Sequence, residues 1–230
     1  MVWGENMLSQ KNDILKLSQS LSFWEHLSLD EREMVISNTS NVSYKKGQNI
    51  HSVENDCVGT IIVKSGELRA YILSEEGKEV TLFRLGEGDI CVLSASCVIK
   101  RITFDVFIDC EEEAEIFLLG VPTFQKLCNQ NIYVENFSYK ILSERFSDVM
   151  WAMEQILFMS LEKRMAVFLL DEAAKNGGEI LLTHEQIAKY IGSAREVVSR
   201  MLKTFEKQGI VELSRGSVRV RDRLPLRRMM

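Results

Sequence analysis

The chain has 230 residues, enough for one large domain or two small ones with a proper core. With 46% hydrophobic and 27% charged residues, its composition excludes a disordered or fibrous chain. No apolar run approaches the roughly 18 residues that a membrane helix needs. The net charge of −5 is unevenly spread: Ile180 to Met230 holds 11 Lys and Arg against 5 Asp and Glu, whereas residues 1–179 hold 17 against 28. A basic C-terminal part behind an acidic body points to phosphate as a partner for the former, with chance clustering of surface charge as the alternative.

Met1 to Gln10 lacks the basic region and apolar core of a signal peptide, so a cytoplasmic protein is expected. From about Leu8 to Asn41 the pattern is helical: Ile14, Leu15, Leu17 and Leu21 recur at helical spacing, and Ser28 caps a second helix with acids in its first turn. From Val42 to about Leu119 short apolar runs alternate with Gly47, Gly59, Gly66, Gly77, Gly86 and Gly88, as in a barrel or roll of short strands. Glu75-Glu76-Gly77-Lys78 reads as a hairpin turn. The acid run Glu111-Glu112-Glu113 reads as a solvated turn.

Pro122 opens a short helix. A long one is predicted from Tyr133 to Met159, where Tyr139, Leu142, Phe146, Val149, Met153 and Ile156 repeat at spacings that alternate three and four. That heptad predicts self-association; the alternative is that the stripe packs on the roll. Leu161 to Lys175 forms a further helix, stopped by Asn176-Gly177-Gly178.

The C-terminal segment carries the strongest pattern. Thr183-His184-Glu185-Gln186 reads as a capping box, Gly192 as a turn, and Ser193-Ala194-Arg195-Glu196 as a second capping box opening a helix to about Lys207. On a helical wheel Val198, Met201, Leu202 and Phe205 share one side, opposite Glu196, Ser199, Arg200, Lys203 and Lys207. Two short strands, Val211-Glu212-Leu213 and Val218-Arg219-Val220, follow with Arg215 at their tip. They read as a wing, and a tail with Arg219, Arg221, Arg223, Arg227 and Arg228 adds charge.

The run from Ile187 to Lys203 resembles the helix-turn-helix of the cyclic-AMP receptor protein/fumarate–nitrate regulator (Crp/Fnr) family. Tyr44-Lys45-Lys46-Gly47-Gln48-Asn49-Ile50, Ile62-Val63-Lys64-Ser65-Gly66-Glu67-Leu68 and Gly86-Glu87-Gly88-Asp89 resemble the strands and turn of its effector roll. The resemblance covers about Phe23 to Asp222. It implies an α+β protein of three parts: N-terminal helices and a cyclic-nucleotide-binding-like jelly roll (1–132), a dimerisation helix (133–159) and a winged helix-turn-helix (160–230). It implies a homodimer on double-stranded DNA, controlled by an effector or redox signal, with RNA polymerase as a further partner if the protein activates.

The resemblance puts Arg195, Glu196, Ser199 and Arg200 on the family's base-reading positions. Thr183, Lys203 and Arg215 complete the candidate DNA-binding set, the last two as phosphate contacts, and a TGA-core inverted repeat is expected. The effector pocket would include Ile90, Cys91, Leu93, Ser94, Cys97, Arg101 and Thr103. Cyclic-nucleotide binders carry a Gly-Glu-Leu set and an Arg-Ser pair there, but Ile90 to Cys97 contains no glutamate, which argues against cyclic AMP. The first cysteine is Cys57, so the N-terminal iron–sulfur ligands of the oxygen-sensing branch are missing. Five cysteines without Cys-x-x-Cys spacing argue against a disulfide framework, and Cys91 and Cys97 are either apolar filler or redox sensors. His26, His51 and His184 lack metal-ligand spacing, so no metal site is expected. Two other classes are weighed: a roll regulating another protein, which the basic C-terminal module argues against, and a cupin-type enzyme, which the single roll histidine, His51, argues against.

Overall fold

A computed structural model describes residues 11–52, 58–92, 106–175 and 177–230. It is an α+β fold whose contacts divide into two compact units. One comprises the residues up to Ile72 with Leu82–Val149; the other comprises Leu73–Thr81 with Met150–Met230.

In the first unit α1 (Lys11–Ser20), a short 3-10 turn (Trp24–His26) and α2 (Leu29–Ser37) precede the sheet. The helical pattern is broken because the backbone leaves α1 at Leu21 and re-enters at Ser28. The Ser28 hydroxyl accepts from Glu31 N, and the Glu31 carboxylate accepts from Ser28 N at 2.8 Å.

Strands β1 (Thr39–Tyr44), β2 (Asn49–His51), β3 (Thr60–Leu73), β4 (Glu79–Leu85), β5 (Ile90–Cys91) and β6 (Phe107–Leu119) form one sheet in the order β1-β6-β3-β4. β2 also pairs with β6, and β5 with β3. The acid run Glu111–Glu113 lies inside β6, not in a turn.

The two longest strands bend where their register shifts between Val63 and Leu68. Gly66 sits at that bend with φ +86, and a Cβ there would lie 2.3 Å from the Glu113 carbonyl oxygen. Ala70, Leu68 and Ile108 line one core, with Ile61, Val63 and Ile116. A second cluster joins Leu17, Phe23, Val35 and Phe117 to helices α3 (Val121–Gln130) and α4 (Ile132–Phe158) through Phe124, Leu127, Val134 and Phe137. The turn Gly86–Asp89 is stitched to β3: Gly88 N donates to Val63 O and Val63 N to Asp89 O.

The second unit has α5 (Leu161–Lys175), β7 (Glu179–Ile180), α6 (His184–Ile191), α7 (Arg195–Lys207), β8 (Val211–Ser214), β9 (Ser217–Val220) and α8 (Arg223–Met229). Its core holds Met165, Leu169, Ile187, Val198, Leu202, Phe205 and Leu226. No described helix is long and apolar enough to cross a membrane.

Candidate nucleic-acid interface

Helix α6 starts on Thr183, whose hydroxyl accepts from Gln186 N while Gln186 Oε1 accepts from Thr183 N at 2.9 Å. It ends on Gly192, left-handed at φ +62, and Ser193 N then donates to Ala188 O. Arg164 of α5 donates to Ile191 O at 2.8 Å, a cation on the helix's negative end. These constraints set the angle at which the chain enters α7.

The second capping box does not form. The N-cap of α7 is Ala194, which has no side-chain cap hydrogen bond. Ser193 is held outside the helix by its own bond back to α6, so its hydroxyl stands one residue too early to cap.

Val198, Leu202 and Phe205 of α7 are fully buried and Met201 partly so. Arg195, Glu196, Arg200, Lys203 and Lys207 are exposed, and Ser199 is half-exposed. The wheel expected from the apolar spacing is therefore the wheel of the folded helix. Among the described residues no ion pair joins Glu196 to Arg200, so both ends of that pair are open to an incoming molecule.

The wing β8–β9 turns at Arg215-Gly216, with Gly216 at φ +80 and Arg215 exposed. Leu213 N donates to Glu206, which ties the wing to α7. The two-residue strand β7 extends it to three strands, a pairing too short to leave a pattern in the sequence.

The basic tail is more structured than its composition suggested. Asp222 caps α8 by accepting from Leu224 N, and Leu226 is fully buried. Arg219 pairs with Glu179, Arg221 with Glu212, and Arg223 donates to Ala173 O. Of the arginines assigned to phosphate by charge alone, these three are already engaged within the fold.

The predicted self-association stripe on α4 divides. Tyr139 and Phe146 are more than 60% exposed, and Met153 and Ile156 more than 40%. Leu142 and Val149 are half-buried and pack against the roll core. Met150 and Leu157 are exposed as well. At 100° per residue, Tyr139, Phe146, Met150, Met153 and Leu157 form one stripe within about 60°, opposite Val134, Ile141 and Ala152.

Of the predicted effector residues, Ile90 and Cys91 lie in β5, buried, paired to Ile62 and Ile61. Leu93, Ser94, Cys97, Arg101 and Thr103 lie outside the described residues, as does Cys57. A residue the sequence reading passed over stands beside that turn. Arg145 of α4 is buried, donates to Asp148 at 2.7 Å, lies 3.7 Å from Asp89 and stacks over Phe83. Among the described residues no group of His, Cys, Asp or Glu could hold a metal ion.

Comparison with known proteins agrees with this architecture. Residues 41–131 match the cyclic nucleotide-binding domain, and residues 163–229 match the Crp-like helix-turn-helix domain. A solved structure described as a transcriptional regulator of the Crp/Fnr family from Eubacterium rectale is 40% identical; the match covers 92% of this chain and 98% of that one, with a TM-score of 0.88. The cyclic AMP receptor protein of Thermus thermophilus is 25% identical over 198 residues, 85% of this chain and 90% of the relative. The fumarate and nitrate reduction regulatory protein of Yersinia pestis is 24% identical over 201 residues, 82% and 76%. The chain belongs to the Crp/Fnr family of DNA-binding transcription regulators.

Proposed function

We propose that the chain works as a homodimer that reads an inverted repeat with a TGA core in each half-site, under the control of an effector sensed in the roll. The observation that carries this reading is α7: an apolar face locked in the core and an opposite face of Arg195, Glu196, Ser199, Arg200 and Lys203 open to an incoming molecule. Arginine donates to guanine O6 and N7, and glutamate accepts from the cytosine amino group. Glu196 and Arg200 stand one turn apart, a spacing suited to neighbouring base pairs.

Arg215 on the wing and Lys203 on α7 supply phosphate contacts, which fix register without reading sequence. Thr183 holds the start of α6 against the backbone. The exposed apolar stripe of α4 supports dimerisation, and a two-fold dimer presents the second recognition helix about 34 Å away.

The effector differs from cyclic AMP, because Ile90 to Cys97 lacks the glutamate that would hold a ribose hydroxyl. The working place is the cytoplasm, where the DNA is, and RNA polymerase is a partner where the protein activates.

A mobility-shift assay on genomic fragments tests the DNA reading, and native mass spectrometry of the anaerobically purified protein tests the effector. A retarded, competable band supports the reading. Its absence under every effector condition would remove it.

A further inference from the structure

The tip of the β3–β4 hairpin is a charged segment to which the reading above gives no task. Leu73–Thr81 packs with the second unit, whereas the chain on either side of it belongs to the first. The tip is a fixed turn. Gly77 N donates to Ser74 O, Ser74 N to Lys78 O and Lys78 N to the Ser74 hydroxyl, and Gly77 takes φ +78.

The tip holds helix α6 at one residue, Lys189, by two contacts. The Glu79 carboxylate lies 2.8 Å from the Lys189 ammonium, with the Glu79 side chain only 17% exposed. The Thr81 hydroxyl donates to the Lys189 carbonyl oxygen at 3.2 Å. That oxygen belongs to the last turn of α6, where carbonyls lack a donor within the helix. Ala188 O is supplied by Ser193 N, and Ile191 O by Arg164. Thr81 supplies Lys189 O, so the tip completes the end of α6 that leads into α7.

The charges set this contact against DNA. Met150–Met230 carries 14 Lys and Arg against 10 Asp and Glu, and Leu73–Thr81 carries one against three. The tip thus halves the net charge of the unit, from +4 to +2. It also occupies Lys189, the one Lys or Arg that α6 contains. Positive charge on this unit is what draws a DNA backbone, and each cation that meets a phosphate adds to affinity.

We propose that the β3–β4 tip is an autoinhibitory strap: it holds α6 through Lys189, lowers the attraction of the second unit for DNA, and lifts off when the complex forms. The proposal rests on the DNA-binding reading.

The test is fluorescence anisotropy of the full chain with a labelled random-sequence duplex at about 0.15 M salt. Glu79→Gln should bind about two- to fivefold more tightly than wild type, the range that a half-exposed ion pair spans. Glu76→Gln makes the same charge change on the same tip. Glu76 is exposed and has no ion-pair partner among the described residues, so its loss should tighten binding by less. Thr81→Val removes the hydroxyl without changing the charge, and should tighten binding about twofold or more. In the wild type, hydrogen exchange within residues 73–81 should quicken when the duplex is added.

Three results overturn the strap and leave the DNA-binding reading standing: Glu79→Gln no tighter than Glu76→Gln, Thr81→Val unchanged or weaker, or exchange within 73–81 that stays the same or slows. A chain that binds no duplex overturns both.

Discussion

Phe146 is the residue on which the assembly can be tested with a number attached. It is 63% exposed and belongs to none of the core clusters, so its ring does little for the fold of one chain. An aromatic side chain covers about 150–250 Å² when fully buried. The uncovered part is therefore about 100–150 Å², worth about 3 kcal/mol at 25 cal/mol per Å² once a partner helix closes over it. In a two-fold interface the ring counts twice, and adjustment of its neighbours recovers some of the loss. Phe146→Ala should weaken the dimer by about 3–5 kcal/mol, or roughly a hundred- to a few-thousandfold in dissociation constant.

Sedimentation equilibrium across a concentration series measures this directly, with thermal unfolding at matched concentration as a control for the fold. Trp151→Ala is the internal comparison. Trp151 is 51% exposed but stands about 120° around the helix from Tyr139, so its loss should leave the dimer intact. Leu142→Ala should instead lower the unfolding temperature, because Leu142 packs against the roll core. If Phe146→Ala and wild type dissociate alike, or if Trp151→Ala is the variant that dissociates, the stripe through Tyr139, Phe146, Met150, Met153 and Leu157 is not the interface.

Gly66→Ala should destabilise the roll by about 2–4 kcal/mol in denaturant unfolding, since its Cβ meets backbone at 2.3 Å in a left-handed conformation. Gly77→Ala, with the same sign of φ but open space around it, should lose only about 1–2 kcal/mol. Burial pushes the His51 ring below its ordinary value of 6.5, so the unfolded chain binds more protons there. Stability should fall as pH drops below that value, and thermal unfolding of His51→Asn should lose this part of the slope. Cys91 is fully buried, and burial raises the Cys128 thiol to about 11. Both should escape iodoacetamide in the folded protein at neutral pH, as peptide mass spectrometry would report.

Much of the fold was legible because it is written in local chemistry. The Thr183–Gln186 box, the left-handed Gly192 and the Gly216 turn each need particular residues at particular offsets, so the helix-turn-helix and wing could be placed from spacing alone. The second capping box was misread because Ser193 has the right residue type; what displaces it is its hydrogen bond to Ala188, a consequence of how α6 ends. Helix α8 was taken for a charged tail: seven residues with four of them arginine or proline carry little periodicity, and the Asp222 cap and the packing of Leu226 become visible only in the fold.

The exposed apolar stripe of α4 is centred about 40° around the helix from the centre of the heptad for a related reason. The heptad counts apolar residues without knowing that the roll covers Leu142 and Val149 on one flank. Arg145 was passed over because its interest lies in neighbours far away in sequence, Asp89 and Phe83.

The central claim is that the exposed face of α7 reads DNA, and selection from a random duplex pool tests it most directly. The full-length protein, with the selected sequences aligned and then assayed against Arg200→Ala, should enrich an inverted repeat with TGA in each half-site. Arg200→Ala should bind that site about 1–3 kcal/mol per half-site more weakly and lose its preference at the core guanine. An enriched set without a TGA-bearing palindrome, or an Arg200→Ala protein that selects the same sequence as wild type, would contradict the account.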